Sequence, residues 1–380
     1  MPDFETDVTV VGAGIVGLAH AYLAAKAGLR VKVFERNPQA HGASVRNFGM
    51  IWPIGQPPGP LHTMALRSRN LWLEVLQAAG IPFLPTGSLH AAYREDEAAV
   101  GREFCEKAPA AGYDCAWLTA GKTLQRSHAL NPEGLLGAVW SPGELTVDPR
   151  EAVALIPSFL KREFGVEFHF NTAVTYVETG MLVSQLGECR SERIIICGGD
   201  DFQTLFPECF RDNGLTRCKL QMLRTVPQPG GWQLGPSLAF GLTFRHYPTF
   251  EICESLQPLK ERVARENPEL DQWGIHVMVS QTGAGELTLG DSHEYGLAVN
   301  VFDSPAINRT ILDYAGKYLR APSLAIAQEW HGVYAKHPNS PYLLQEPRPR
   351  VRLVTVTSGI GMTMSFGLAE KNLKEMGVPA

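Results

Sequence analysis

The chain has 380 residues, 44% apolar and 19% charged, with a formal net charge of −5. That length accommodates two structural domains and a sizeable core, and the slight acidity leaves no basic footprint for nucleic acid. No window is long and apolar enough to span a bilayer, and the seven cysteines form no CxxC pair and no metal-ligand spacing.

The first strand follows Met1 to Thr6 directly, without space for a secretory signal, and the odd, scattered cysteines suit reduced thiols; both predict a cytoplasmic protein. From Asp7, an apolar run through Val11 closes on Gly12-Ala13-Gly14-Ile15-Val16-Gly17, and small helix-compatible residues follow from Leu18 to Ala24. This is strand, tight turn, helix. Gly12 permits the turn, Gly14 lets a pyrophosphate approach the backbone, and Gly17 lets helix and strand pack closely. The helix start at Ile15 and Val16 offers free N–H groups and a positive dipole end to phosphates. A second strand, Val31 to Phe34, ends at Glu35, 18 residues beyond Gly17, with Arg36 next. An acidic residue there accepts from a ribose 2′-OH, which favours FAD or NAD over NADP.

Ala43 to Pro53 reads as a loop of small and polar groups leading into an apolar patch. Ser44, Asn47 and the Gly49 backbone are expected to pass along the cofactor towards its ring, where close approach needs small residues; a plain surface connection is the alternative. A long helix from Leu61 is expected to end at Gly80. Strands are expected at Leu89 to Tyr93 and Leu135 to Trp140, with a charged helix from Asp96 to Lys107 between them. Asp148 is a candidate N-cap, with Pro149 at the first helical position. Val166 to Phe170, Ala173 to Val177 and Arg193 to Cys197 read as strands. The last is continuously apolar and ends in Gly198-Gly199-Asp200, which suits a central strand whose carboxyl end points at a ligand.

Leu220 to Val226, Ala239 to Arg245, Ile275 to Val279 and Glu286 to Gly290 alternate as antiparallel strands of a second domain, with helices between Leu256 and Gln272 and from Asn308 to Leu319. A strand, Val351 to Ser358, then meets Gly359-Ile360-Gly361-Met362-Thr363-Met364, and a small-residue helix runs from Ser365 to about Met376. This second strand–glycine turn–helix supplies another set of free N–H groups, which the fold must bring beside the first.

Val11 to Gly17, Glu35-Arg36, the Ala43-to-Met50 loop, Val147-Asp148-Pro149, Thr172-Ala173-Val174, Ile195 to Gly199, Trp330-His331-Gly332 and Ser358 to Thr363 together resemble the D-amino-acid oxidase and glycine/sarcosine oxidase superfamily of flavoproteins. The resemblance implies an α/β fold. A Rossmann-type FAD-binding domain would be assembled from 1–82, 145–215 and 330–380. An α+β substrate domain, 83–144 and 216–329, would set a mainly antiparallel sheet over the flavin. It implies non-covalent FAD held by Gly12, Gly14, Ile15, Val16, Gly17, Glu35, Arg36, Ala43, Ser44, Asn47, Phe48, Gly49, Met50, Val174, Gly198, Gly359, Ile360, Gly361, Met362, Thr363 and Met364. No Cys or His sits where relatives attach the flavin covalently.

The stretch Ser44 to Gln56 is further similar to a subgroup linked to catabolism of aminophosphonates related to 2-aminoethylphosphonate. Glycine- and D-amino-acid-oxidising relatives carry an Arg after a Trp-x-Gly-hydrophobic stretch, holding the substrate carboxylate bidentately. Here that stretch is Trp330 to Val333, and Tyr334 stands in the place of the Arg. A phosphonate would instead meet Arg46, His246, Tyr334, Lys336 and His337; Tyr334, Lys336 and His337 are also the candidates for any catalytic role. The implied reaction is hydride transfer from the carbon bearing the amine to flavin N5, giving an imine that water converts to an aldehyde and free amine. The partners would be a small-molecule amine and oxygen or another electron acceptor. Alternatives are glycine, sarcosine or D-amino-acid oxidation, an NAD-binding dehydrogenase, and a flavoprotein without turnover.

Overall fold

The protein is described here from a computed structural model, which covers residues 4–211 and 213–378. Five parallel strands form the first sheet in the order Glu167–His169, Val31–Phe34, Thr6–Val11, Gly187–Ile196 and Val351–Val356. The beginning of Gly187–Ile196 instead pairs antiparallel with Met181–Ser184, and Tyr342–Arg348 lies antiparallel on Val351–Val356. The helix Ile15–Lys26 is apolar on nearly every side because it is enclosed: the sheet lies beneath it, and helices Pro149–Phe164 and Gly361–Glu375 flank it. Within this core His20 joins the first and last helices. Its Nδ1 donates to Val16 O at 2.7 Å and its Nε2 accepts from Asn372 Nδ2 at 3.1 Å, partners that fix the neutral tautomer. Burial pulls His20 down to about 4.

Helix Pro149–Phe164 starts as its sequence predicts: the Asp148 side chain accepts from Arg150 N at 2.9 Å, and Pro149 takes the first position. Helix Pro60–Ala79 stops before Gly80. Fully buried Trp72 from that helix meets Phe366 of the last helix edge-on at 5.0 Å. Each ring contributes about 2–3 kcal/mol by burial.

The second sheet has nine strands. Its path is Glu294–Gly296, Thr216–Thr225, Leu287–Gly290, Met278–Gln281, Ser237–Phe240, Ser88–Ala92, Gly137–Ser141 and Ala116–Thr119. Ile326–Lys336 pairs along the whole of Thr216–Thr225. The pairing is antiparallel except between Ser237–Phe240 and Ser88–Ala92. A small third sheet, Met50–Ile51, Leu145–Val147 and Phe83–Leu84, lies between the two large ones in sequence and links the 43–50 loop to Asp148.

Four expectations are corrected. Residues 330–336, assigned by sequence to the dinucleotide-binding segments, run in the antiparallel sheet, because that strand's partner Thr216–Thr225 lies there. The strand expected from Ala239 to Arg245 ends at Phe240; a Cβ on Gly241 would fall 2.0 Å from the Glu97 carboxyl carbon, and the chain turns through Gly241–Arg245 instead. Ile275 to Val277 precede the ladder, which begins at Met278. The helices expected between Leu256 and Gln272 are Leu256–Glu266 and Pro268–Gln272, separated where Pro268 cannot donate. The last helix begins at Gly361, four residues before the expected Ser365.

Candidate active site

The carboxyl ends of the parallel strands, at Val11, Phe34, Ile196 and Val356, open into one cleft of about 430 Å³ walled by the antiparallel sheet. At one end the backbone is the surface. Gly12 has φ +103°, and a Cβ there would lie 2.5 Å from Cys197 O. A Cβ on Gly17 would lie 1.9 Å from Gly12 O, so strand and helix touch through that glycine. Ser44 Oγ accepts from Ile15 N at 2.9 Å and sits 3.0 Å from where a Gly14 Cβ would be. Glu35 is nearly buried at the end of its strand; Oε2 accepts from Ala13 N at 2.9 Å, and Oε1 from Asn37 N and Nδ2 at 3.0 Å. Arg36 pairs with Asp201 beside it at 2.8 Å.

The second glycine corner borders the same cleft. Its helix starts at Gly361, leaving the N–H groups of the first turn aimed outward, as helix starts do. The corner is tied down on both sides. Trp52 N donates to Thr363 Oγ1 at 2.9 Å, and Trp72 Nε1 donates to Met362 O at 2.6 Å. A Cβ on Gly359 would meet Tyr334 Oη at 3.3 Å, so the Tyr334 ring lies directly against this corner.

The remaining wall is made of side chains: Phe48, Trp52, Met222, Met278, Tyr247, His246, His276, His293, Asp291 and Tyr334. His246 and His276 rings lie 3.8 Å apart at 28°, and His293 lies 4.5 Å from His246. His276 and His293 are buried. His246 is exposed, and it lines the cleft. Burial, then the neighbouring imidazoles and the charges of Lys336 and Arg245, hold His246 well below the ordinary imidazole range; burial brings His293 to about 4. Burial pushes the Asp291 carboxyl up, but His293 and His276 together outweigh it and keep Asp291 ionised below the usual range. Burial raises the Tyr334 and Tyr247 hydroxyls, so both stay protonated at neutral pH.

Of the residues singled out by sequence, Gly12, Gly14, Ile15, Val16, Gly17, Glu35, Arg36, Ala43, Ser44, Asn47, Phe48, Met50, Val174, Gly198 and Gly359 to Thr363 line this cleft, as do Arg46, His246 and Tyr334. Four do not. Gly49 packs away from it, since a Cβ there would lie 1.9 Å from Val147 O; its close approach is to the small third sheet. Met364 is fully buried, and its N–H is already used by Ile360 O at 2.9 Å. Lys336 ends its strand in a bridge to Ser358, and only its charge reaches the histidines. His337 Nδ1 accepts from Asn339 N and Ser340 N, so that side chain braces its own turn. His276, His293, Asp291 and Tyr247 were missed. They come from a turn and from the stretches just before Met278–Gln281 and just after Leu287–Gly290, whose meeting no local spacing announces.

Residues 7–371 match the DAO family, described as FAD dependent oxidoreductase. The chain belongs to that family. A glycine oxidase of Geobacillus kaustophilus is 30% identical over 158 residues, 40% of this chain and 42% of that one. A D-amino-acid oxidase of Streptomyces coelicolor is 36% identical over 77 residues, 20% of this chain and 24% of that one. The matched segments thus span less than half of these curated relatives. Among solved structures, glycine oxidase from Bacillus cereus superposes with a TM-score of 0.77 at 19% identity, covering 98% of this chain and 95% of its own. L-proline dehydrogenase from P. horikoshii gives 0.76 at 19%, covering 100% and 95%. At that identity the likeness is one of fold. The family's cofactor fits the residues present: two helix starts, the side-chain-free approach at Gly14 and the Glu35 carboxylate border one cleft. No described helix is long and apolar enough to cross a membrane.

Proposed function

We propose that this FAD-dependent oxidoreductase family member oxidises the C–N bond of a small aminophosphonate related to 2-aminoethylphosphonate. Bound FAD supplies the acceptor for a hydride from the amine-bearing carbon, and water then splits the resulting imine into an aldehyde and free amine. The chain's own residues do the rest. The Gly12–Gly17 turn, Glu35 and Ser44 anchor the dinucleotide, and the helix start at Gly361 to Thr363 places positive potential beside the ring end. Phe48, Trp52, Met222 and Met278 exclude water from the reacting carbon and hold it in one orientation.

The observation that carries the substrate class is Tyr334. It sits against Gly359, where the resemblance calls for a carboxylate-holding Arg, and a neutral phenol cannot replace a planar forked cation. The imidazoles of His246, His276 and His293 line the same cleft, and among the described residues no lysine does. Anaerobic mixing tests the reading: 2-aminoethylphosphonate or its N-methylated or hydroxylated forms should bleach the flavin near 450 nm, with aldehyde formed in equal amount. Bleaching by glycine or sarcosine alone overturns it. Arg46 favours that second reading. It lines the cleft and spends one guanidinium nitrogen on His331 O at 3.3 Å, which leaves others for a carboxylate. Peroxide measured during turnover distinguishes oxygen from another acceptor.

A further inference from the structure

We infer that His246, His276 and His293, backed by Asp291, form a subsite that takes the phosphonate group of the substrate as a tetrahedral oxyanion; this rests on the aminophosphonate reading above. The three imidazoles converge on the cleft, each with one ring nitrogen within 4.8 Å of those of the other two. His293 Nδ1 is engaged by Gly274 O at 3.1 Å, which turns Nε2 free. Asp291 Oδ1 lies 3.1 Å from His276 Nε2, but out of line for a hydrogen bond. Among the described residues, neither ring nitrogen of His276 nor that Asp291 oxygen has a hydrogen-bond partner, although both side chains are more than nine-tenths buried. Buried polar groups left in that state are costly, and a ligand that satisfies them offsets the cost.

Ring orientation decides between an anion and a metal. A metal ion must lie in the plane of every ligating ring, about 2.0–2.1 Å from its nitrogen. The His246 and His276 planes are nearly parallel and face each other at 3.8 Å, and His276 and His293 are within 18° of parallel at 5.3 Å. Stacked rings cannot point their lone pairs at one ion. They can each donate an N–H to a different oxygen of one tetrahedral anion. Three protonated imidazoles balance the phosphonate dianion and the Asp291 carboxylate without net charge. The other charges facing the cluster are Lys336 and Arg245, both positive; Tyr247 and Tyr334 are neutral. Burial holds His246 and His293 below the ordinary imidazole range until the anion arrives, so binding takes up protons.

The probe is methylphosphonate, titrated calorimetrically at pH 7.5 into the FAD-loaded protein in two buffers of different ionisation enthalpy, with acetate as the contrast. Wild type should bind methylphosphonate about 10-fold or more tighter than acetate and take up at least one proton. His246→Gln and His293→Gln should each weaken it about 10-fold with FAD content unchanged. His246 faces the cleft, so its variant tests the site even where His293→Gln fails to fold. Equal methylphosphonate affinity in wild type and His246→Gln, binding without proton uptake, or zinc retained one per chain overturns the subsite. Aminophosphonate turnover with an unchanged KM in His246→Gln keeps the proposed function and removes the subsite. Methylphosphonate bound through the histidines, with no aminophosphonate oxidised, does the reverse.

Discussion

The two ends of the cleft recognise by different means. At the dinucleotide end the surface on offer is mostly backbone: N–H groups at two helix starts, no side chain at Gly12, Gly14 or Gly17, and one carboxylate, Glu35. At the opposite end the sheet presents side chains, and four titratable groups, His246, His276, His293 and Asp291, gather from three stretches of chain. Backbone recognition tolerates little change in shape. Side-chain recognition can be rewritten residue by residue, which is how one family's fold holds a constant cofactor against varied substrates.

Substitutions at each end should therefore fail differently. The largest effect is expected for Gly17→Ala, whose Cβ would overlap Gly12 O. The strand–helix contact must open, at a cost of about 3 kcal/mol, and flavin per purified chain, read from absorbance, should fall below about a tenth of wild type. His20 brings acid sensitivity to the same end. Its folded value of about 4 lies below its ordinary 6.5, so the unfolded chain takes up the proton first. The stability His20 contributes is full above pH 6.5 and is lost as pH falls towards 4, by about 3 kcal/mol; urea midpoints should fall in that window, and His20→Gln should remove that share of the fall.

Tyr334→Arg tests the other end. Restoring a forked cation against Gly359 should raise kcat/KM for glycine relative to an aminophosphonate by about 30-fold, roughly 2 kcal/mol, with FAD occupancy unchanged. An unchanged ratio would mean that Tyr334 does not set the substrate class. The smallest effect is expected for Glu35→Gln, which keeps an acceptor for Ala13 N but removes the charge. FAD titrated into the apoprotein should bind about 10-fold more weakly, with KM for the amine unaffected.

The same division separates what could be read from the amino acids. The Gly12–Gly17 turn, Glu35, the Asp148 cap and the Gly359–Thr363 corner were all legible, because each is a local pattern in which neighbouring residues cooperate. The histidine wall was not. His246 projects from the end of the turn Gly241–Arg245, while His276 and His293 flank different strands, so their meeting depends on sheet register and on that turn. Gly49 misled for a related reason: a glycine in a cofactor loop and a glycine pressed on Val147 O look alike in sequence.

The pairing of the parallel strands has a consequence during synthesis. Gly187–Ile196 receives its outer neighbour, Val351–Val356, only after some 150 further residues have been made, and the helix that covers Ile15–Lys26 comes later still. A ribosome-bound chain therefore carries an open β-edge and an uncovered apolar helix through most of translation. The second glycine corner of the cleft likewise arrives only with residues 351–375, so the nascent chain meets its longest exposure to aggregation before the cleft is whole.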